Sequence, residues 1–476
     1  MTPDQFKAKC REYNVIPPQP LHRISEKVQQ AKSQDGHVYD VHVHTFHKDC
    51  INELYFLLKM LGERTRGIKS LHDGEVAPFT PQKTEEIDYA VEEFRNTYHY
   101  STEEDIYENP PTDITWKDIE DTFEKAHSRA PLIEHIDSGR EAAYYVFSRF
   151  LRKNSQEEIL KDFFKNFAVT NITGFKGKSL ITCALMMDFY NEFKGPVKRS
   201  LNIQIEDYNT LAGAYPVLPF LAIDPRRMDE DEDNEEHLFN LFLKAFDRKK
   251  AGLFFGVKFY PALGYSPSDY RLEPIYEICQ EFQIPIVTHC GGEIVSTFRK
   301  DIWVYEDFKQ EKSVVPGDAR KDRVFYLNDP KRWESVLRKY PNLKINFAHF
   351  GNDEAFFDEN IHNTRDYIAR KRTILHLMKC YSGVFADFSY AFTSPHVYGS
   401  FMKTLDENTS GVQDRILFGT DFWVALFAKG ERFVTHQTAF IQLFESNPNL
   451  RDKIFRTNAE RYLFEIVDDN PASPCK

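Results

Sequence analysis

Eight short apolar segments recur along this 476-residue chain, and their order limits the folds that it can adopt. Most of them are almost continuously apolar, as is typical of parallel strands buried on both faces. Stretches with helical periodicity lie between them, and this alternation predicts an α/β fold, the (β/α)8 or TIM barrel. The eight segments are residues 37–46, 179–190, 215–224, 252–261, 284–292, 343–351, 383–391 and 415–423.

A doubly wound open sheet is the alternative arrangement for such a pattern. That fold would be expected to carry a glycine-rich phosphate-binding loop after its first strand. No such loop follows residue 46, so the barrel is favoured. The intervening helical periodicity is clearest in residues 234–249, 272–283, 330–341 and 364–380.

The connections between the predicted strands are very unequal in length. Residues 47–178, roughly 130 positions, are too many for a loop and predict a mostly helical subdomain. Because this insertion leaves the carboxyl end of a barrel strand, we expect it to cap the active-site mouth. A shorter insertion, 293–328, follows the fifth strand on the same face. The predicted units are an N-terminal arm (1–36), the barrel (37–46 and 179–466), the insertion (47–178) and a C-terminal tail (467–476).

Composition argues against several classes of protein. A formal net charge of −12 disfavours a nucleic-acid-binding surface, which requires a concentrated basic face. The first residues contain no apolar core of signal-peptide length. The sequence also lacks an uninterrupted apolar stretch of ~18 residues, so no transmembrane helix is expected. The seven cysteines show no zinc-binding spacing, so we expect reduced thiols in a cytoplasmic protein.

Polar residues stand at or near the ends of five of the eight predicted strands. Barrel enzymes carry their catalytic groups at the carboxyl ends of the strands. Each residue alone has an ordinary structural explanation, such as a hydrogen-bonded core histidine, an ion-pair partner or a helix cap. Their shared position predicts an active site instead. They are His42 and His44 in the first strand, Lys258 in the fourth, His289 in the fifth, His349 in the sixth and Asp421 in the eighth.

The spacing of His42 and His44 indicates a metal ion. Residues i and i+2 of a strand face the same side, so both imidazoles are expected to project into the barrel. Together with His289 and Asp421 they supply three nitrogens and one carboxylate oxygen. That set suits zinc and leaves a position for water. Manganese or another divalent transition metal accepts similar ligands.

The order of these strand-end residues resembles that of the amidohydrolase superfamily. It runs from the HxH pair through the lysine and the two histidines to the aspartate. Several segments are similar to its amidohydrolase-2 branch, which also contains the relatives of aminocarboxymuconate-semialdehyde decarboxylase. The resemblance covers residues 37–60 and 179–466 and does not extend over most of the long insertion. The similar segments are "DVHVH", "GVKFYPALGYSP", "VTHCG", "NFAHFG", "ILFGTDF" and "KIFRTNAERYLF".

The resemblance implies roles for these residues. Four residues are carried over as metal ligands: His42, His44, His289 and Asp421. His349 would lie near the ion, as a ligand of a second ion or as the group that polarises the substrate. In binuclear relatives the lysine that matches Lys258 is carboxylated and bridges two ions, whereas the amidohydrolase-2 branch usually holds one ion. We therefore expect one ion per chain, or two if Lys258 is carboxylated.

Two reactions are consistent with this set of residues. In hydrolysis of a small ester, lactone or amide, the metal lowers the pKa of its bound water to ~7. Asp421 then moves the proton of the water to the leaving group, and His349 stabilises the oxyanion. An unmodified Lys258 adds positive charge for a carboxylate-bearing substrate. In non-oxidative decarboxylation, the ion anchors the carboxylate and His349 or Asp421 protonates the carbon. Isomerisation and hydration stay open, and a non-catalytic scaffold is the alternative from another class.

Further residues are expected around the substrate. Tyr260 and Trp423, with Phe388, could form an aromatic wall for a planar molecule, although packing at the barrel mouth is the favoured explanation. Arg365 could pair with a substrate carboxylate, with a surface salt bridge as the alternative. His396 lies on the loop after the seventh strand. We expect a small-molecule substrate, neither nucleic acid nor membrane as a partner, and a homo-oligomer as the assembled form.

Overall fold

The computed structural model covers most of the chain outside the long insertion. Of the 47–178 insertion, residues 52–152 lie outside the described residues, and so does the expectation that they cap the barrel mouth. The C-terminal tail after residue 467 lies outside them as well. The described residues are 1–12, 15–51, 153–189, 197–291, 296–297, 299–357, 365–408, 411–429 and 432–467.

Eight parallel strands form one sheet in the order of the sequence. Val41 N donates to Phe418 O (3.0 Å) and Asp421 N to His42 O (2.8 Å), which joins the first strand to the segment after the last. The sheet therefore closes into the predicted (β/α)8 barrel, and each of the eight apolar segments contains one of its strands. The strands are β1 (Val38–His44), β2 (Leu180–Leu185), β3 (Val217–Ile223), β4 (Gly256–Phe259), β5 (Ile286–Thr288), β6 (Ile345–Phe347), β7 (Val384–Asp387) and β8 (Ile416–Leu417).

Helices connect the successive strands of the barrel, as the alternation predicted. The helix between β3 and β4 shows why: its buried positions Leu238, Phe242 and Ala245 recur every three or four residues, so one face is apolar. The described helices are α1 (Pro3–Arg11), α2 (Glu26–Lys32), α3 (Gln156–Asp162), α4 (Leu201–Ala214), α5 (Leu238–Phe246), α6 (Glu273–Glu281), α7 (Arg320–Leu327), α8 (Glu334–Lys339), α9 (Arg365–Cys380), α10 (Tyr398–Glu407), α11 (Val424–Lys429), α12 (Arg432–Gln442), α13 (Pro448–Asp452) and α14 (Asn458–Phe464).

Apolar side chains fill the barrel below the polar strand ends. Gly256 leaves room for the ring of Phe220, since an added Cβ would lie 2.2 Å from it. Tyr462 and Leu463 of α14 belong to this core, and the Tyr462 hydroxyl donates to Ile286 O at the start of β5 (2.8 Å). These side chains close the interior of the barrel below the strand ends that carry the polar residues. The strand residues of this core are Tyr39, Val41, Ile181, Cys183, Leu185, Leu218, Phe220, Val287, Phe385 and Leu417.

The N-terminal arm contains two helices that pack on the barrel. The ring of Phe6 in α1 stacks on Phe239 in α5, with centroids 4.2 Å apart. Lys7 Nζ pairs with Glu277 of α6 at 2.8 Å. The helices of the arm thus extend the helical layer of the barrel.

Both insertions contribute described residues near the carboxyl ends of the strands. In the first, the rings of Phe163 and Phe167 pack on Phe422 with centroids 4.8 and 5.3 Å apart, next to Asp421. In the second, Trp303–Tyr305 and Lys312–Val314 pair as an antiparallel hairpin ahead of α7. The first insertion therefore supports the segment that carries Asp421.

The cysteines depart in one respect from the expectation of reduced thiols. Cys380 is disulfide-bonded, so that expectation is wrong for this residue. A cytoplasmic location stays a prediction. Among the described residues, no helix combines the length and apolar character needed to cross a membrane. The free, buried cysteines of the described part are Cys10, Cys50, Cys183, Cys279 and Cys290.

Candidate metal centre and active site

The histidine pair at the end of β1 forms the centre of the site. His42 and His44 are both buried, and their Nε2 atoms lie 3.2 Å apart. Asp421, after β8, places Oδ1 3.4 Å from Nε2 of each ring. The three side chains meet because the barrel closes between β1 and the segment after β8. Three of the four predicted metal ligands are thus brought together within 4.8 Å of one another.

The hydrogen bonds of the two rings assign their protons. Nδ1 of His44 lies 3.1 Å from Leu185 O, and Nδ1 of His42 lies 3.2 Å from Oδ2 of Asp387. Both partners can only accept, so each Nδ1 carries the hydrogen and each Nε2 has a lone pair. Burial lowers the pKa of His42 to about 4 and the pKa of His44 well below its ordinary value, so both rings are neutral at pH 7.

Two imidazole lone pairs and one carboxylate oxygen therefore face one another without a hydrogen between them. This arrangement is repulsive unless a cation lies among the three atoms. Two neutral imidazoles and a carboxylate are the ligand types that zinc and related divalent metals accept. The chemistry of the donor set fits the predicted ion.

His289 and His349 form a second histidine pair beside the first. Nε2 of His349 lies 3.2 Å from Nδ1 of His289, whose ring stacks on Tyr260 with centroids 4.0 Å apart. Nδ1 of His349 lies near the carbonyl and hydroxyl oxygens of Ser389 (3.3 and 3.0 Å). Burial lowers the pKa of His349 to about 3. His289, the fourth predicted ligand, contacts His349 and is not part of the cluster around His42.

The neutral form of His349 has a consequence for its predicted role. Nδ1 donates to Ser389, so Nε2 is a proton acceptor that receives the hydrogen of His289 Nδ1. Stabilising an oxyanion requires a donor, which this ring would offer only as an imidazolium. The geometry therefore favours proton transfer at His349 Nε2 over the donor role inferred from the sequence.

Asp387 belongs to this group of buried polar residues, although the sequence analysis did not single it out. It ends β7, is fully buried and forms a second cluster with His42 and His349 within 4.8 Å. Its signal was present: an aspartate in the apolar segment "GVFADFSYA", at the position where other strands carry polar residues. Ser389 follows two residues later and contacts the same rings.

Lys258 of β4 is buried with an exposed fraction of 1%, and its Nζ has no hydrogen-bond partner among the described residues. Burial lowers the pKa of Lys258 to about 8, although the negative charges of Asp387 and Asp421 oppose the shift. The amine is therefore mostly charged at pH 7 and balanced only through space by these two carboxylates.

A cleft opens above these groups at the carboxyl ends of the strands. Its aromatic wall consists of Phe46, Tyr260 and Tyr390, and neither lysine nor arginine is among the described residues that line it. The lining residues are His44, Phe46, Met187, Tyr260, His289, His349, Asn352, Tyr390, Asp421 and Val424. The lining thus combines aromatic and apolar side chains with the polar groups of the site.

Only one of the four predicted substrate-binding residues lines the cleft. Tyr260 lines the cleft, whereas Trp423 is fully buried and does not. The backbone turns after β8, with positive φ angles at Asp421 (51°) and Trp423 (79°), and this turn directs the Trp423 side chain away from the cleft. Arg365 is exposed at the first turn of α9. His396 is exposed and packs on Phe357 at a ring distance of 5.0 Å. The structure thus does not bring Trp423, Arg365 or His396 to the cleft.

Unusual backbone conformations concentrate at the same end of the barrel. Non-glycine residues with positive φ are uncommon and cost energy, so they persist where the surrounding structure holds them. Several follow directly on strands that carry site residues, which indicates that these turns aim the side chains. They are His349, Phe350, Asn352, Tyr390, Asp421 and Trp423.

Comparison with known proteins identifies the family. The model of the amidohydrolase-2 family, described as amidohydrolase, matches residues 210–464, more than half of the chain. The chain belongs to the amidohydrolase family. The family recognised from the strand-end motifs is thus confirmed, and the protein is an enzyme of that superfamily.

Two solved structures resemble this amidohydrolase at low identity. An amidohydrolase from Burkholderia multivorans with bound zinc is 11% identical, with 68% of this chain and 95% of that chain covered and a TM-score of 0.38. The 4-oxalomesaconate hydratase from Rhodopseudomonas palustris is 12% identical, with 90% and 95% covered and a TM-score of 0.40. The comparison with curated proteins finds no match.

The family match and the geometry cover different parts of the site. The matched range of this amidohydrolase contains Lys258, His289 and Asp421 but begins after β2. The histidine pair of β1 lies outside it, and its place in the site follows from barrel closure and from the distances to Asp421.

Proposed function

We propose that this amidohydrolase uses one divalent ion, zinc before manganese, to hydrolyse an ester, lactone or amide bond in a small substrate. The observation that carries the proposal is the meeting of His42 Nε2, His44 Nε2 and Asp421 Oδ1. Their separations are 3.2 Å between the nitrogens and 3.4 Å from each nitrogen to the oxygen. His289 is the remaining candidate ligand, because its Nδ1–H donates to His349 and leaves a lone pair on Nε2.

A bound ion of this kind would lower the pKa of water and polarise an oxygen of the substrate. Asp421 lines the cleft and is the carboxylate that can accept a proton from the attacking water. His349, whose Nε2 is an acceptor, can carry a proton between the attacking and leaving groups. The two residues together supply the acid–base steps that hydrolysis requires.

Lys258 would contribute charge. Its amine is buried without a hydrogen-bond partner among the described residues, so a developing negative charge nearby would stabilise it. The position of this amine favours a reaction in which negative charge lies close to β4, either on the transition state or on a carboxylate of the substrate. If Lys258 were carboxylated, it would instead carry a negative charge and favour two ions, which metal analysis distinguishes.

Decarboxylation of a small aromatic acid is the second candidate. The observation that favours it is the wall formed by Phe46, Tyr260 and Tyr390, which suits a planar ring. In that reaction, Asp421 or His349 would protonate the carbon that loses CO2, and no attacking water is needed.

Metal analysis tests the centre that both reactions share. Protein purified without chelator is compared with a His42→Ala/His44→Ala variant. The control is His37→Ala, which removes a histidine just before the same strand that contacts Glu460 instead of the site (2.8 Å). We expect about one zinc or manganese ion per chain in the wild type and the control, and none in the double variant. A well-folded wild type that takes up no metal after reconstitution would contradict the proposal.

Substrate assays separate the two reactions. The metal-loaded enzyme is offered a panel of lactones, esters, amides and aromatic carboxylic acids, with acid release and CO2 release monitored in parallel. Acid release without CO2 supports hydrolysis, and CO2 release supports the decarboxylase. An Asp421→Asn variant, which cannot accept the proton, is expected to lose about 10²–10⁴-fold in rate.

A further inference from the structure

Asp387 is not among the described residues that line the cleft, yet its carboxylate receives hydrogen bonds from four neighbouring residues. Oδ2 accepts from His42 Nδ1 (3.2 Å) and from Asn346 Nδ2 (2.7 Å). Oδ1 accepts from the backbone nitrogens of His349 (3.0 Å) and Ser389 (3.1 Å), and from the Ser389 hydroxyl. Five donors surround a fully buried carboxylate, which is enough to satisfy both oxygens.

Ser389 links this carboxylate to both histidine pairs. Its hydroxyl hydrogen goes to Asp387, so its oxygen can only accept from the two rings. That oxygen lies 3.1 Å from His42 Nδ1 and 3.0 Å from His349 Nδ1. Both rings must therefore carry hydrogen on Nδ1, and both must present the lone pair of Nε2 to the site.

The same bonds exclude Asp387 as a ligand of a second ion. His42, His349 and Asp387 lie within 4.8 Å of one another, as ligands would. However, His42 and His349 face Asp387 and Ser389 through protonated Nδ1 atoms, and the carboxylate oxygens are occupied by donors. The cluster therefore has the hydrogen bonding of a support for the two rings rather than that of a cation site.

We propose that Asp387, acting with Ser389, is a positioning residue that fixes the tautomer and ring orientation of His42 and His349. The inference rests on the proposed metal centre, because the orientation matters through the lone pair that His42 offers to an ion. A carboxylate that accepts the outer N–H of a ligating histidine holds the ring and makes it more basic. Loss of such a partner lowers metal affinity about 10–100-fold.

Metal binding by an Asp387→Asn variant tests this assignment. The metal-free proteins are titrated with Zn²⁺ against a chromophoric chelator and with Co²⁺, whose visible absorption reports the ligand geometry. The matched control is Asp40→Asn. Asp40 is equally buried, but among the described residues its side chain accepts from Thr420 and from the backbone nitrogen of His42, and from no histidine ring. We expect Asp387→Asn to weaken Zn²⁺ binding about 10–100-fold and to alter the Co²⁺ spectrum, while Asp40→Asn binds like the wild type.

Each result bears on a different claim. A wild type that binds neither ion defeats the proposed function, and the positioning role falls with it. A wild type that binds both ions, together with an Asp387→Asn variant of unchanged affinity and spectrum, overturns the positioning role alone. If Asp387→Asn does not fold, Ser389→Ala provides the second measurement. It removes one acceptor from each ring and should weaken Zn²⁺ binding in the same direction, and unchanged binding would equally overturn the assignment.

Discussion

Replacing Gly291 by alanine should displace the second histidine pair while leaving the first intact. A Cβ added at Gly291 would lie 2.7 Å from Cδ2 of His349 and 3.1 Å from Cε1 of His289. The backbone cannot retreat freely, because Asn328 Nδ2 and Arg370 Nη1 donate to Gly291 O at 3.3 and 3.1 Å. The two imidazoles must therefore move.

The structure sets the size of this movement. Ordinary contacts of a Cβ atom begin near 3.4 Å, so the 2.7 Å contact requires the His349 ring to shift by about 0.7 Å. Overpacking of this kind costs about 1–3 kcal/mol of unfolding free energy. A catalytic group displaced by nearly 1 Å can reduce the rate about 100-fold, so we expect kcat/KM to fall about 10–100-fold.

The assay combines activity, metal content and thermal unfolding for Gly291→Ala. Metal bound by His42, His44 and Asp421 should be retained but held more weakly, because the new methyl group does not reach these three residues but displaces His289, the remaining candidate ligand. The control is Gly213→Ala in α4, where the nearest atom to an added Cβ is 4.0 Å away. Wild-type activity and stability in Gly291→Ala would refute the argument that His349 occupies this position and transfers a proton there.

Two further predictions concern charge and pH. Lys258→Met should raise the unfolding free energy of the metal-free protein by about 3 kcal/mol below pH 8, because it removes a buried amine whose pKa in the folded protein is about 8. The same substitution should lower the activity, because the positive charge is lost from the site. The folded state binds fewer protons than the unfolded state between pH 8 and 10.5, so wild-type stability rises across this window and the gain of the variant vanishes above it. Chemical denaturation at pH 7 and pH 10.5 measures both effects, and a constant difference would contradict them. Glu460→Gln should destabilise the protein by up to about 1 kcal/mol above pH 4.5, since hydrogen bonds from His37 and Lys32 hold the pKa of Glu460 at about 2. The difference between wild type and variant should disappear as the pH falls from 4.5 toward 2, and equal stability of the two proteins at pH 7 would contradict this prediction.

The barrel and the centre of its site could be predicted from the sequence because both depend on local patterns. Apolar runs separated by helical periodicity identify buried parallel strands, and every predicted segment contains one. The period of two along a strand places His42 and His44 on one side. The rule that barrel enzymes use the carboxyl ends of their strands then selects Asp421 from the far end of the chain.

Tertiary structure decided the rest of the site. Trp423 turned away because φ is positive at Asp421 and Trp423, so the alternation of a strand no longer applies after β8. His289 contacts His349 instead of the histidine pair of β1, and this contact depends on the register of neighbouring strands.

Asp387 shows the same limit most clearly. Its oxygens lie beside His42, which is distant in sequence, and their contact sets the proton on Nδ1. A sequence pattern indicates which side of its own strand a residue faces. Distances between strands, and the hydrogen bonds that follow from them, exist only once the barrel has closed.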